Sequence, residues 1–348
     1  NEYYITTTRI LGIDWRGTVK FNSGEGESSQ LIGLTISTAV SANYEFSGIG
    51  CFNSSPTIRH CEISGNHGVD GGGIHLSNSN AVLKHLSIVN NVAVDESEVD
   101  MGSGGGIFIG NSNPIIHDLY ITQNSSLYGG AIIIVGSSNP IFERCVINGN
   151  TSERGSVIGC GLWAEASFIN CTIVNNVGDY LVAARDDSAV HIINSIIYSN
   201  DTPLLENDDT PMLINYSNLQ FEYEGVGNLQ EPPLFVDISI DNFYLQETSP
   251  GIDAGTAFFE FGGEILIDLM DDEYFGSAPD MGAYEFYPQG DINLDGFINI
   301  SDAVMLVGFI FEIMVPTFQQ FQNADLIQDE NLNILDVISL VNIILEVE

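Results

Sequence analysis

The stretch SSPTIRHCEISGN, residues 54–66, returns along the chain with small changes: SNAVLKHLSIVNN at 79–91, SNPIIHDLYITQN at 112–124 and SNPIFERCVINGN at 138–150. Fainter copies follow at 165–176, 188–200 and 211–219, and SQLIGLTISTA at 29–39 fits the same template. A repeat of roughly twenty-six residues is one supersecondary unit that cannot bury its apolar side alone, so neighbouring units must stack. This period constrains the fold more than any other property of the chain.

Within each copy, apolar and polar residues alternate as in short strands, next to a Gly-rich stretch such as DGGGIHL or SGGGIFI. Stacked turn upon turn, such strands form parallel sheets in which like residues fall above one another. One apolar column then runs Ile36, Ile63, Ile88, Ile121, Ile147, Ile173, Ile197, Leu219. Asn66, Asn91, Asn124, Asn150, Asn176 and Asn200 fall at the end of their copies and predict an inward amide ladder. Cys61, Cys145 and Cys171 share another column, as small apolar residues stacked inside; pairing of 51–61, 160–171 or 145–171 stays open.

These repeats resemble the right-handed parallel β-helix family of secreted proteins, the pectate-lyase-like solenoids, over roughly residues 5 to 222. The resemblance implies an all-β coil of about eight turns over residues 1–222. After Leu219 the rhythm fails, and PLFVD, SPGIDAG and DMGAYE resemble the segment that closes many such coils, so 223–289 is expected to cap the last turn. Asp253, Asp268, Asp280 and Glu285 in it could serve turn hydrogen bonds or a metal. Strand-like sequence begins almost at residue 3, so the first turn is expected to offer an unpaired edge to another chain.

Residues 290–348 read differently. GDINLDGFINISD places Asp291, Asn293 and Asp295 at positions 1, 3 and 5 of a calcium loop, Gly296 at the sharp turn, the Phe297 carbonyl at 7, Asn299 at 9 and Asp302 at 12. An apolar helix follows from Ala303. A second copy lies 34 residues on, with Asp325, Asp329, the Asn331 carbonyl, Asn333 and Asp336 at the corresponding places. Ile327 takes position 3 and Glu330 replaces the glycine, so the second loop has lost a ligand and its permissive turn. Two loop–helix units without the usual leading helices resemble a dockerin. The resemblance implies a small module folded by Ca²⁺ that inserts its helices into a partner protein. Positions 10 and 11, where that family reads its partner, hold Ile300 and Ser301, then Ile334 and Leu335. The more apolar second pair suits packing against the chain's own coil or a neighbouring subunit.

Charge narrows the function. Asp and Glu total 47 against 8 Lys and Arg, a formal net charge of −39. Such a chain is a poor ligand for nucleic acid or anionic lipid, and it repels polyuronates unless metal ions intervene. No apolar run reaches the ~18 residues of a membrane span. The one concentration of basic groups is Arg59, His60, Lys84, His85, His117 and Arg144, beside the carboxylates Glu62, Asp118 and Glu143. The acidic loop 94–105, with Asp95, Glu96, Glu98 and Asp100, is expected to be mobile or to hold a cation, and Trp163 could stack on a sugar. The clusters that pectate lyases and polygalacturonases use are not recognisable. The expectation is therefore a secreted, non-catalytic extracellular scaffold or filament subunit. It would bind another protein or a second copy of itself through its calcium tail. The alternative is a polysaccharide-binding or polysaccharide-degrading β-helix, a lyase or hydrolase delivered by that tail.

Overall fold

The computed structural model describes residues 8–12, 17–37, 48–94, 102–204, 212–329 and 331–346. The acidic residues expected in the 94–105 loop, Asp95, Glu96, Glu98 and Asp100, lie outside the described residues, as does Glu330.

Among the described residues, three parallel sheets of nine, seven and eight strands wrap one interior, joined over part of the length by a fourth, four-stranded sheet. Seven turns contribute a strand to each of the three main sheets, and a partial turn follows, somewhat fewer than the repeats imply. The first sheet runs from Arg9–Leu11 to Asn218–Leu219, the second from Val19–Phe21 to Tyr180–Ala184, and the third from Gln30–Ile32 to Met212–Asn215. Through Leu219 the chain is thus an all-β parallel solenoid.

The isoleucine column is the register of the first sheet. Ile10 pairs with Ile36, and the pairing continues through Ile63, Ile88, Ile121, Ile147, Ile173 and Ile197 to Leu219. From Ile36 onward these side chains are essentially inaccessible to solvent. Each contributes roughly 1.5–3 kcal/mol of apolar burial, and a one-residue slip would turn the whole set outward. Phe142 and Phe168 stack at 4.7 Å on adjacent turns of the third sheet.

The asparagine ladder forms as expected. Asn66, Asn91, Asn124, Asn150 and Asn176 each donate from Nδ2 to the Oδ1 of the next member at 2.9–3.1 Å, ending on Asn200. Each Nδ2 also donates to an isoleucine carbonyl of the preceding turn, as Asn124 does to Ile88. From Asn91 onward each Oδ1 also accepts from the backbone N of the preceding member, as Asn124 Oδ1 does from Asn91 N at 3.0 Å, so the ladder satisfies the backbone N–H groups at the bend between strands. Gly73 and Gly106 pass directly over it: a Cβ at Gly106 would stand 2.6 Å from the Ala131 carbonyl and 3.3 Å from Asn124 Nδ2. All five cysteines are buried and free, so none of the three conceivable pairings is made. Burial pushes the Cys51 and Cys160 thiols up to about 12, which leaves them inert packing groups.

Residues beyond the last full turn do two things. Phe221 and Tyr223 pack against the solenoid core at its end, and Leu229 bridges to Asn218. The chain then folds back along the flank. Phe235, Phe243, Leu245, Met281 and Ala283 cover Val146, Val174 and Ile196, which project outward from the first sheet on three successive turns. Ala283 N donates to Thr172 Oγ1, and Asn194 Nδ2 to the Thr256 carbonyl. A hairpin, Phe258–Phe261 with Glu264–Asp268, lays Ile267 on Ile169 and Ile193.

The carboxylates of this segment serve its turns. Asp253 Oδ1 accepts from Ser277 N and Ala278 N, Asp280 from Asp253 N and Phe286 N, and Glu285 from Phe275 N and Asp280 N. Burial, then the neighbouring Asp280, pushes Glu285 up to about 8; burial raises Asp280 to about 6. The unfolded chain ionises Glu285 near its ordinary 4.5, whereas the folded chain holds the proton to about 8. Between those values the native state binds more protons, so this segment loses stability as pH rises through the window. We expect the denaturant midpoint of the wild type to fall from pH 5 to pH 8, and the fall to be largely absent in Glu285→Gln. An equal slope in both proteins would place the pH sensitivity elsewhere.

Candidate functional site

The two C-terminal loops are built alike. In the first, Asp302 Oδ1 accepts from Ile292 N and Asn293 N, and its Oδ2 from Asn299 N. Asp291 accepts from Asp295 N and Gly296 N, Asp295 from Phe297 N, and Asn299 Oδ1 from Ser301 N. The second loop repeats this 34 residues later: Asp336 accepts from Ile327 N and Asn333 N, Asp325 from Asp329 N, Asp329 from Asn331 N, and Asn333 from Leu335 N. Leu294 and Gln328, both at position 4, share the left-handed conformation. The described residues of the second loop therefore repeat these bonds although Ile327 offers no side-chain ligand.

Each loop starts a helix. Asn299 and Asp302 form a capping box that opens α1 (Ile300–Ile310), and Asn333 caps α3 (Ile334–Glu346). A further helix, α2 (Phe318–Ala324), leads into the second loop with its own capping box from Thr317 and Gln320. The sequence reading had no leading helix there. Leu306, Phe309, Ala324 and Leu340 close a small core with Ile292.

The oxygen chemistry fits a hard divalent cation. Asp291 and Asp302 are fully buried, and no ion pair to either occurs among the described residues. Burial raises the Asp291 carboxyl, with the charges of Asp302 and Asp295 adding to it. Two buried carboxylates answered only by backbone N–H groups are costly unless a cation joins them. No three carboxylate, imidazole or thiolate groups gather on one point among the described residues. A cation would therefore also draw on the Asn293 and Asn299 amides and the Phe297 carbonyl.

The loops sit against the flank segment. A Cβ on Gly296, which has φ +83°, would meet the Phe275 ring at 2.7 Å, so position 6 must be glycine both for the turn and for Phe275. Gln319 Nε2 donates to the Glu285 carbonyl, Gln289 Nε2 to the Asp325 carbonyl, and Phe318 stacks on Tyr244 at 5.7 Å.

A second cluster lies on the third sheet, where Arg59, Lys84, His117 and Glu143 stack as one column in register. Beside it His60 and His85 stack at 4.8 Å, and Asp118 links His85 at 3.6 Å to Arg144 Nε at 2.9 Å. His117 Nδ1 stands 2.5 Å from Glu143 Oε2. This histidine contact, with help from Arg144 and Lys84, holds Glu143 below the usual carboxylate range despite its burial. Burial, then His85 and Arg59, lowers His60. Arg59 and Lys84 make no ion pair among the described residues. Glu62 belongs to the first sheet and accepts from Ser64 Oγ, outside this column. Trp163 is exposed on a turn, away from either cluster's hydrogen bonds.

Residues 47–210 match the family model of the right-handed β helix region. Among solved structures, the crystal structure of pectate lyase Pel9A is similar at 12% identity with a TM-score of 0.45, over 80% of this chain and 85% of that chain. No curated protein matches the chain. The matched region is the parallel coil that the strand register builds.

Proposed function

We propose that this chain is a secreted, non-catalytic structural protein, an extracellular scaffold or filament subunit, whose dockerin-like C-terminal module folds around calcium and docks onto another protein chain. The observation that carries this reading is a pair of exposed apolar stripes at the same 34-residue offset as the loops. On α1 the stripe is Ile300, Val304, Val307 and, at the C-cap, Phe311; on α3 it is Ile334, Ile338, Val341 and Leu345. Their exposure runs from 37% at Val307 and Val341 to 71% at Phe311. Neither stripe carries a charge, in a chain of net charge −39. Residues placed at helical spacing on a solvated face, with the opposite face already closing a core, are the pattern of a helix that lies against a partner. Ile300, Ile334 and Leu335 are exposed rather than packed on the chain's own coil.

A second copy is the first partner to test. Light scattering on the untagged protein in millimolar calcium should give an assembly many times the 37.7 kDa monomer, which chelation dissolves and the double variant Val304→Asp/Ile338→Asp prevents. Monomers under all three conditions would reject self-assembly and direct the search to a different protein.

The basic column on the third sheet supports a second reading, a polysaccharide-binding or polysaccharide-degrading coil delivered by the same tail. Arg59 and Lys84 adjoin in register and make no ion pair among the described residues, in a chain with few other bases. Incubation with acidic glycans in calcium should then release unsaturated or reducing ends, or retain the glycan, and Lys84→Ala/His85→Ala should abolish the effect. Neither cleavage nor retention across a broad panel would remove this reading.

A further inference from the structure

We propose that the cleft between the flank segment and the C-terminal module binds an uncharged glycan. The cleft has a volume of about 550 Å³, within the range of small-molecule sites. Its chemistry is unlike that of the rest of the protein. Seven of its fifteen lining residues are asparagine or glutamine, three are aromatic, none is basic, and Glu247 is the one carboxylate. A primary amide offers donors and an acceptor in one plane, the pattern that neighbouring hydroxyls of a sugar ring can meet in both directions. An anionic ligand would find no cation there and would meet the field of a chain at −39. A cationic one would find a single counter-charge.

The amides are held in position before any ligand arrives. Gln246 Nε2 donates to the Phe235 carbonyl at 2.8 Å, while Gln289 and Gln319 each donate to a backbone carbonyl at 2.9 Å. One donated bond fixes each amide plane and aims the remaining polar atoms. The aromatic walls are fixed in the same way: Tyr244 stacks on Tyr284 at 4.3 Å, and Tyr287 on Phe275 at 5.5 Å. A site whose side chains are already ordered loses little rotamer entropy on binding. Gln322 and Gln328 stand exposed at the rim, one on α2 and one in the second loop. A glycan reaching these and Gln246 would tie the module to the flank.

This site is separate from the basic column and from the apolar stripes, so its test stands independently of both. Native gels cast with a neutral β-glucan, galactomannan or arabinoxylan, run with the whole chain in millimolar calcium, should retard the protein in at least one case. Gln322→Ala/Gln328→Ala should weaken that retardation about tenfold through two lost hydrogen bonds while leaving the circular dichroism spectrum unchanged. Lys84→Ala should have no effect. Free migration in every neutral gel, retardation only by polygalacturonate, or retardation indifferent to the double variant would overturn the proposal.

Discussion

Chelation of calcium from the whole protein is expected to unfold α1 and α3 while the coil stays intact. Asp291 and Asp302 are fully buried, and neither has an ion-pair partner among the described residues. Without a cation their desolvation opposes the fold of the loops that cap the helices. Ligand bound only by the folded form at one hundred times its dissociation constant adds ~2.7 kcal/mol, a large share of what so small a core can supply. Far-ultraviolet circular dichroism should lose its helical part on chelation and regain it on calcium addition, with the β signal constant. Asp302→Ala should reproduce the loss in calcium, because it removes the acceptor of three backbone donors, Ile292, Asn293 and Asn299, as well as a ligand. We expect ~3–5 kcal/mol from those orphaned groups. Titration should show the second loop binding more weakly, since Ile327 contributes no oxygen. A helical signal unmoved by either chelation or Asp302→Ala would exclude calcium as the organiser of the module.

The other large effect lies in the ladder. Asn124 Oδ1 accepts from both the N and the Nδ2 of Asn91, and its Nδ2 donates to the Ile88 carbonyl and to Asn150 Oδ1, all between 2.8 and 3.0 Å. Asn124→Ala leaves Asn91 N buried with no partner and removes three further bonds, those of Asn124 with Asn91 Nδ2, the Ile88 carbonyl and Asn150 Oδ1. At ~1–3 kcal/mol for the orphaned N–H and ~1 kcal/mol for each other lost bond, the loss should reach ~4–6 kcal/mol. Asn80 is a matched control, because it also accepts a backbone bond from the next turn, Asn113 N at 2.8 Å, but in an exposed position. Water replaces that bond, so Asn80→Ala should cost under ~1 kcal/mol. A stacked array unfolds in part as well as in whole, so limited proteolysis should accompany the denaturant midpoint. Cleavage of the Asn124 variant near turns 112–150, with the Asn80 variant resistant, is the expected pattern. Equal behaviour of the two variants would show that burial does not set the value of the ladder. Asn124 also heads an N-x-S sequon, but its burial at 0% exposure leaves no room for a glycan in the folded chain.

The sequence by itself determined the coil. Ile36 to Leu219 and Asn66 to Asn200 could be aligned before any coordinates because each turn's side chains meet only those of the turns above and below. A one-dimensional stack repeats in sequence what it repeats in space. The positions of the two loops were legible for a related reason, since each closes within twelve residues and local spacing marks it; the backbone bonds that Asp291 and Asp302 accept were not read from it. The columns of Arg59, Lys84 and His117, and of His60 and His85, followed from the same register.

Only the tertiary structure decided how the coil ends and what lies beside it. Ala283 meets Thr172, and Phe243 covers Val146, Val174 and Ile196, across sequence separations that no period relates. The flank segment reads as a plug for the last turn until the outward apolar residues of the first sheet are seen to need a cover. The exposure of Ile300, Val304, Ile334 and Ile338 was equally hidden, since an apolar helix residue has the same letter whether it faces a core or a partner. The amide-lined cleft is assembled from Gln246, Gln289, Gln322 and Gln328. Those residues belong to three separate stretches and follow no common spacing, and they become neighbours only when the module settles on the flank.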